Sequence, residues 1–509
     1  MEKKHFNYNY TIEQIQIINN YLNEVYQVVL EQLANDLEQN YKLNWKTQSY
    51  DIFLGNYILL MTHVLYDRWI GIRNKIQCQS KVIRINIPAD FVEYSEWCVG
   101  NDNFNLQIYS LLNMMQTKKK VQTIELPDRI EGYSGMDNYE FNKGKVLVDS
   151  PYFLNNKFEV DEINALNNEN CVFEFNPRIQ KNKVHNINKK FRKENLAFNI
   201  TNFEDACLAL CKLYLPVSYL ESLTSLMVLK KSLPPKAVYT TIGCYFNTPI
   251  KFLVAENYNK IPYWIHQHGG GYGINKICVP EFYERRVATK YFTWGWVEDD
   301  KTYCLPTKPR IKKLVQDNQV LLKTSLGCKY RNYIMSEVPV YHQNIDLTNA
   351  TINFLNAIRK DIKLEISHYK QESGINIKQI YDLNNRKYSD KSKPDGAYKI
   401  HVSNYLGTSW LESIACGIPT IVFFDKSKHR FRENVTEVIN KLIKVGIMHT
   451  TPESAAEHLN NVYDDLDNWW ESNDLKEVKT KFIKRFANFS NDWPLYWQKA
   501  FLHNSELTI

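Results

Sequence analysis

From about residue 237 onward, short apolar runs alternate with helix-length segments, and this alternation restricts the fold more than any other feature. Ala237-Val238-Tyr239-Thr240, Tyr263-Trp264-Ile265-His266, Tyr398-Lys399-Ile400-His401-Val402 and Thr420-Ile421-Val422-Phe423-Phe424 are strand-sized, as is the run at 291–294. Helical periodicity fills 248–258, where Ile250, Phe252, Leu253 and Ala255 face inward. Strands separated by helices imply a parallel sheet with crossover connections. The chain is therefore expected to be α/β. A break at Leu305-Pro306-Thr307-Lys308-Pro309 interrupts the pattern, which resumes afterwards. A strand is predicted to start at 333–335, followed by helices at 346–363, 409–416, 431–445 and 452–488.

The N-terminal part reads differently. Ile12, Ile15, Ile18, Leu22, Val25 and Val29 repeat at helical spacing over 11–40, and a second helical block covers 52–74. The uncharged run at 52–66 is broken by Gly55, Asn56 and His63, and it is shorter than the ~20 residues a spanning helix needs. It predicts a buried helix. Strands are expected at 82–87 and 145–149, and helix over 201–231 with a break near Pro216. The expected domains are an N-terminal Rossmann-like domain over 1–305, with its helical extension, and a C-terminal Rossmann-like domain over 306–480. A helical segment, 481–509, is expected to return to the first domain. Ligands of such sheets bind beyond the carboxyl ends of the strands, which points to the cleft between two facing domains.

Charge narrows the partners. The 509 residues hold 63 Lys+Arg against 56 Asp+Glu, a net +7. That is too dilute for a nucleic-acid-binding field and compatible with an anionic substrate or membrane face. The 10 cysteines include no C-x-x-C pair, so reduced core thiols are expected. With no apolar signal core at the N-terminus, the expectation is a cytoplasmic protein.

The most informative stretch runs from Ile400 to Phe424. A strand ends near Ser403, a loop carries Gly407-Thr408-Ser409, and Glu412 follows one helical turn on. Amides at the helix start, with two hydroxyls, suit a phosphate, and Glu412 could accept from ribose hydroxyls. The plain alternative is an N-cap of an ordinary strand–loop–helix unit. The second stretch is His266-Gln267-His268-Gly269-Gly270-Gly271-Tyr272-Gly273. Its glycines allow close backbone approach, and a histidine there can act as base or phosphate partner. The alternative is a tight turn with satisfied histidines.

The spacing Thr408, Glu412, Gly417, Pro419, followed by a β-rich run, resembles the donor-nucleotide motif in the C-terminal half of GT-B glycosyltransferases. That resemblance implies ribose binding by Glu412 and phosphate contacts near Thr408 and Ser409. The glycine turn, the acids Glu281 and Glu284, Phe292-Thr293-Trp294-Gly295-Trp296 and His63 to Trp69 together resemble a bacterial group of transferases from O-antigen and surface-polysaccharide gene clusters. More distantly, the Gln-His-Gly step resembles the capsule Kdo transferases, although Tyr341-His342 stands where their His-Pro step would fall. The resemblance implies a metal-independent GT-B glycosyltransferase. It would move a sugar from a CMP-linked acidic sugar or NDP-sugar to a glycan or lipid-linked acceptor, without a cofactor. His268 leads as general base, with Glu281 and Glu284 as alternatives.

Other readings fit these residues less well. His268 to Gly271 also resembles the oxyanion motif of lipases, but no G-x-S-x-G elbow accompanies it. No P-loop is present. Asp464-Asp465-Leu466-Asp467 and Asp299-Asp300 read as solvated surface rather than metal ligands. The basic run from Arg178 to Lys193 is either a solvated segment or a docking surface for anionic lipid at the inner membrane face. His266, Arg386 and Lys393 are candidate phosphate or acidic-sugar contacts. A sugar-nucleotide epimerase and a non-catalytic carbohydrate- or nucleotide-binding protein remain the alternatives in function.

Overall fold

The computed structural model describes residues 11–502 apart from 73–81, 117–122, 134–145, 150–172, 176–180, 198–199, 232–233, 315–316, 334, 337–338, 370–372, 384–390 and 392. Its contacts divide it into two compact units. Unit one takes Met1–His266, Tyr283–Lys290 and Tyr330–Tyr333, and unit two Gln267–Phe282, Tyr291–Lys329 and Ile334–Ile509.

In unit one, helix α1 (Ile12–Tyr41) starts with a capping box. The Thr11 hydroxyl accepts from Gln14 N–H, and the Gln14 side chain accepts from Thr11 N–H. Its apolar stripe buries Leu22, Val25, Val29 and Leu33. Helix α2 (Thr47–Ile72) is apolar on nearly every side and sits in the core, as its uncharged run predicts. No described helix is long and apolar enough to cross a membrane. Strands β1 (Val146–Asp149), β2 (Phe173–Phe175), β3 (Ala237–Thr240) and β4 (Tyr263–His266) lie parallel in the order β2-β1-β3-β4. Helix α3 (Phe203–Leu213) precedes β3, and α4 (Thr248–Glu256) links β3 to β4.

Unit two contains a second parallel sheet. Its strands are β5 (Gln319–Thr324), β6 (Lys363–His368), β7 (Ile400–Ser403), β8 (Thr420–Phe423) and β9 (Met448–His449), in the order β6-β5-β7-β8-β9. Leu321 pairs with His401, Val402 with Ile421, and Val422 with Met448. Helices α5 (Asn344–Ala357), α6 (Thr408–Ala415) and α7 (Glu433–Lys444) lie on the β5–β6, β7–β8 and β8–β9 crossovers, and α8 (Pro452–Val462) follows β9. The strand order reverses direction at β5, so the carboxyl ends of β5 and β7 form the switch point where such sheets leave room for ligands. The fold is α/β with two Rossmann-like sheets.

Three local expectations change. The strand expected to start at 333–335 falls partly outside the described residues, since 334 is not described; beside it Ser336 makes an isolated bridge to Cys278. A strand not marked by any period, β5, runs earlier through a short buried segment. The helix expected over 346–363 ends at Ala357, because Ile358 turns extended and Arg359 N–H bonds Asn460. The rest of that span is a turn leading into β6 at Lys363. The helix expected over 452–488 is three helices, α8, Leu466–Trp470 and Asn473–Phe486.

None of the eight described cysteines forms a disulfide; Cys207 and Cys211 stand 3.9 Å apart at i,i+4 on α3. Cys78 and Cys171 lie outside the described residues. Within the basic run, Arg192 is fully buried on Glu221 and Lys189 pairs with Asp128, so part of that charge is neutralised internally. Arg178 lies outside the described residues. Asp464, read as solvated surface, is exposed and pairs with Arg359.

Candidate functional site

The site begins at the carboxyl end of β7. Ser403 donates to the Tyr405 carbonyl at 2.8 Å, so its hydroxyl shapes the loop. Asn404 accepts from Ser325 N–H at 3.1 Å and donates to Thr351 at 3.0 Å, fixing the loop to the end of β5 and to α5. Gly407 is the N-cap of α6 and supplies no side-chain cap. The Ser409 carbonyl accepts from Ser413, which also meets His401 Nδ1 at 2.5 Å, holding α6 on its sheet.

Glu412 lies in the second turn of α6 and is only 8% exposed. Its Oε1 has no hydrogen-bond donor among the described residues, and Arg310 Nε stands 3.3 Å away as an ion pair outside hydrogen-bond geometry. Burial raises the Glu412 pKa, and the positive charges of Arg310 and Lys323 pull it back. The Ser409 hydroxyl is likewise buried with no hydrogen-bond partner there. Lys323, on β5, is held by Asp395 at 2.6 Å, and Lys391 takes the other oxygen at 2.5 Å. These two lysines keep the Asp395 carboxyl down at about 2, against the cost of its burial.

The glycine turn closes on the start of α6. Gly270 N–H donates to Thr408 Oγ1 at 3.0 Å. A Cβ on Gly270 would stand 2.9 Å from Thr408 Cα and from Leu411 Cδ1. The turn is itself clamped from behind. Gln267 donates to the Gly269 carbonyl at 2.8 Å while its oxygen accepts from Trp296 Nε1 at 2.8 Å. Glu281 accepts from Gly273 N–H at 2.8 Å and from Arg432 at 2.7 Å, so both its oxygens are engaged. Asn275 N–H bonds the Gly271 carbonyl at 2.8 Å. His268 is half-buried with the Tyr272 ring edge-on to it. Burial, and then the charge of Arg310, push its pKa down to about 4, so the imidazole is neutral near pH 7.

A family model described as LIC12162 family transferase matches residues 6–501. The chain belongs to that family. No curated protein matches it. Among solved structures, the transferase is similar to spinosyn rhamnosyltransferase SpnG, at 10% identity and TM-score 0.32 over 70% of this chain and 100% of that one. It is also similar to SsfS6, a Streptomyces sp. SF2575 glycosyltransferase, at 9% and 0.31 over 71% and 100%. A UDP-glucosyltransferase from Polygonum tinctorium matches at 8% and 0.33 over 71% and 98%. Scores this low carry no argument about the role of the transferase.

Unit two of the transferase thus brings together His268, Gly269, Gly270, Gly271, Tyr272, Glu281, Gly407, Thr408, Ser409 and Glu412. His266 and Glu284 belong to unit one and have partners there. Tyr239 OH is 2.7 Å from His266 Nδ1, and Tyr245 OH donates to Glu284 at 2.5 Å. Lys393 pairs with Asp317 and donates to Gln319 at 2.8 Å, beside the amino end of β5 and away from the switch point. Arg386 lies outside the described residues. Sequence reasoning gave Gln267 no role and missed Arg310, Lys323 and Arg432. Arg310 had one available signal, its place directly after the proline break.

Gly270→Ala in this transferase is expected to lift the turn from α6, because the new methyl meets backbone that cannot give way. Nucleotide affinity should fall by at least about tenfold with the secondary structure retained, as titration calorimetry and circular dichroism would show. Unchanged affinity would separate the turn from the site.

Proposed function

We propose that the transferase moves a sugar from a nucleotide-activated donor to a hydroxyl acceptor, with the nucleotide held on unit two. The observation that carries this reading is Glu412, a buried carboxylate whose Oε1 lacks a donor, at the switch point of a parallel sheet. Ribose hydroxyls would supply the missing donors. Phosphate would be met by amides at the start of α6, the hydroxyls of Thr408 and Ser409, and the guanidinium of Arg310.

In the transfer, the acceptor oxygen forms a bond to the anomeric carbon as the bond from that carbon to phosphate oxygen breaks. The acceptor proton passes to His268, and the charge developing on the leaving phosphate is stabilised by the same amides and Arg310. This scheme needs no metal. The acceptor we infer is a glycan or lipid-linked chain of surface-polysaccharide or O-antigen type, reached at the inner face of the cytoplasmic membrane.

A thermal-shift screen against CMP, UDP, GDP and dTDP tests the reading. A nucleotide at 100 times its Kd should add about 2.7 kcal/mol to the stability of the folded state. No shift with any of the four would overturn it. The His268 role predicts a pH profile. Above about 4 the imidazole is neutral and accepts a proton, and below it the base is lost. The acid limb of kcat/KM should therefore fall near pH 4, and a limb near 6.5 that His268→Ala leaves in place would point to another base.

A further inference from the structure

Unit two has a cavity of about 380 Å3 past the carboxyl ends of β7, β8 and β9, between α5 and the start of α8. That volume lies in the ordinary range of small-molecule sites, roughly 300–1,000 Å3. Leu347, Leu406 and Phe424 give it an apolar side. Among the described residues, Asp346, Asp425 and Glu453 line it against one ammonium, Lys428. His429 lines it too, and burial and the charge of Arg430 keep its imidazole neutral.

The cavity and the tip of α6 share two walls. The loop 404–406 lines the cavity and leads directly into Gly407 and Thr408. His429 Nε2 stands 2.9 Å from Asn275 Oδ1, and Asn275 N–H holds the carbonyl of Gly271, next to the Gly270 that binds Thr408. A donor with its phosphate at 407–409 therefore has this cavity within reach of its sugar.

We infer that the cavity receives the sugar ring of the donor, and that this sugar carries no carboxylate: it is a neutral or amino sugar. The inference rests on the nucleotide-sugar reading and narrows it. Hydroxyl or ammonium groups donate to the three carboxylates, while the ring's C–H face covers the apolar side. An acidic sugar would set its carboxylate among three like charges with one lysine among the described residues to offset them.

The test is calorimetric titration of the full chain with UDP-glucose and UDP-glucuronate, which differ only at C6. GDP-mannose and GDP-mannuronate form a second such pair, a CMP-linked acidic sugar is the opposing case, and bare UDP, GDP and CMP serve as references. The neutral member of a pair should bind roughly tenfold or more tightly than its acid. The double variant Asp346→Asn, Asp425→Asn, at exposed positions, should narrow that gap. An acidic sugar binding as tightly as its neutral counterpart, a CMP-linked acid outbinding bare CMP, or a gap that the double variant leaves unchanged would each overturn the inference. If bare nucleotides bind in a Glu412-dependent way without that discrimination, the sugar assignment alone fails. If no nucleotide binds, the donor reading fails with it.

Discussion

Replacing Glu412 with alanine is expected to weaken nucleotide binding by about 10- to 100-fold while the melting temperature holds or rises. A hydrogen bond to a charged group contributes about 1.5–3 kcal/mol, and tenfold in affinity corresponds to about 1.4 kcal/mol. In the free protein the same carboxylate is desolvated, with Arg310 as an imperfect partner at 3.3 Å. Its removal therefore relieves a strain in the folded state while abolishing the acceptor that a ribose would use. Glu412→Gln should fall between, since an amide oxygen still accepts. Titration calorimetry on the three proteins decides the matter, and equal affinities would end the donor-site assignment.

Glu281→Ala should have the largest effect on stability, a loss of about 3–5 kcal/mol. Glu281 is fully buried and Arg432 nearly so, each the other's charge partner. Without the carboxylate, Arg432 keeps the Glu298 carboxylate and the Asn275 carbonyl but loses its buried charge partner, and Gly273 N–H loses its acceptor. Replacing both Glu281 and Arg432 with methionine should recover much of the loss, because no buried charge is then stranded. Denaturant unfolding of the single and double variants measures this. A Glu281→Ala protein of normal stability but no turnover would instead make Glu281 a base candidate. The occupied oxygens argue for its role in holding the glycine turn, which was not apparent when it was read simply as an acid following a glycine run.

Glu281 and Glu284 show why residue type and spacing stopped short. Three residues apart on one helix, they look interchangeable in sequence, yet one is bound to Arg432 and the other to Tyr245. His266 and His268 divide in the same manner, the first against Tyr239 and the second beside Tyr272. Lys393, a basic residue just ahead of β7, has its charge taken up by Asp317. Strand β5 carried no alternating pattern, because a strand buried on both faces has none, and so the element bearing Lys323 escaped notice.

Periodicity in this chain was enough to determine its class, the placement of β7 and β8, and the unit from Ser403 to Glu412. Such patterns record which faces are buried, and burial is a local property that each segment carries in its own composition. Tertiary structure alone decided that Gly270 would meet Thr408, 138 positions away, and that Arg310 would stand beside Glu412. Partners in a hydrogen bond or ion pair are selected by where the topology delivers each backbone, and residue spacing holds no trace of that separation.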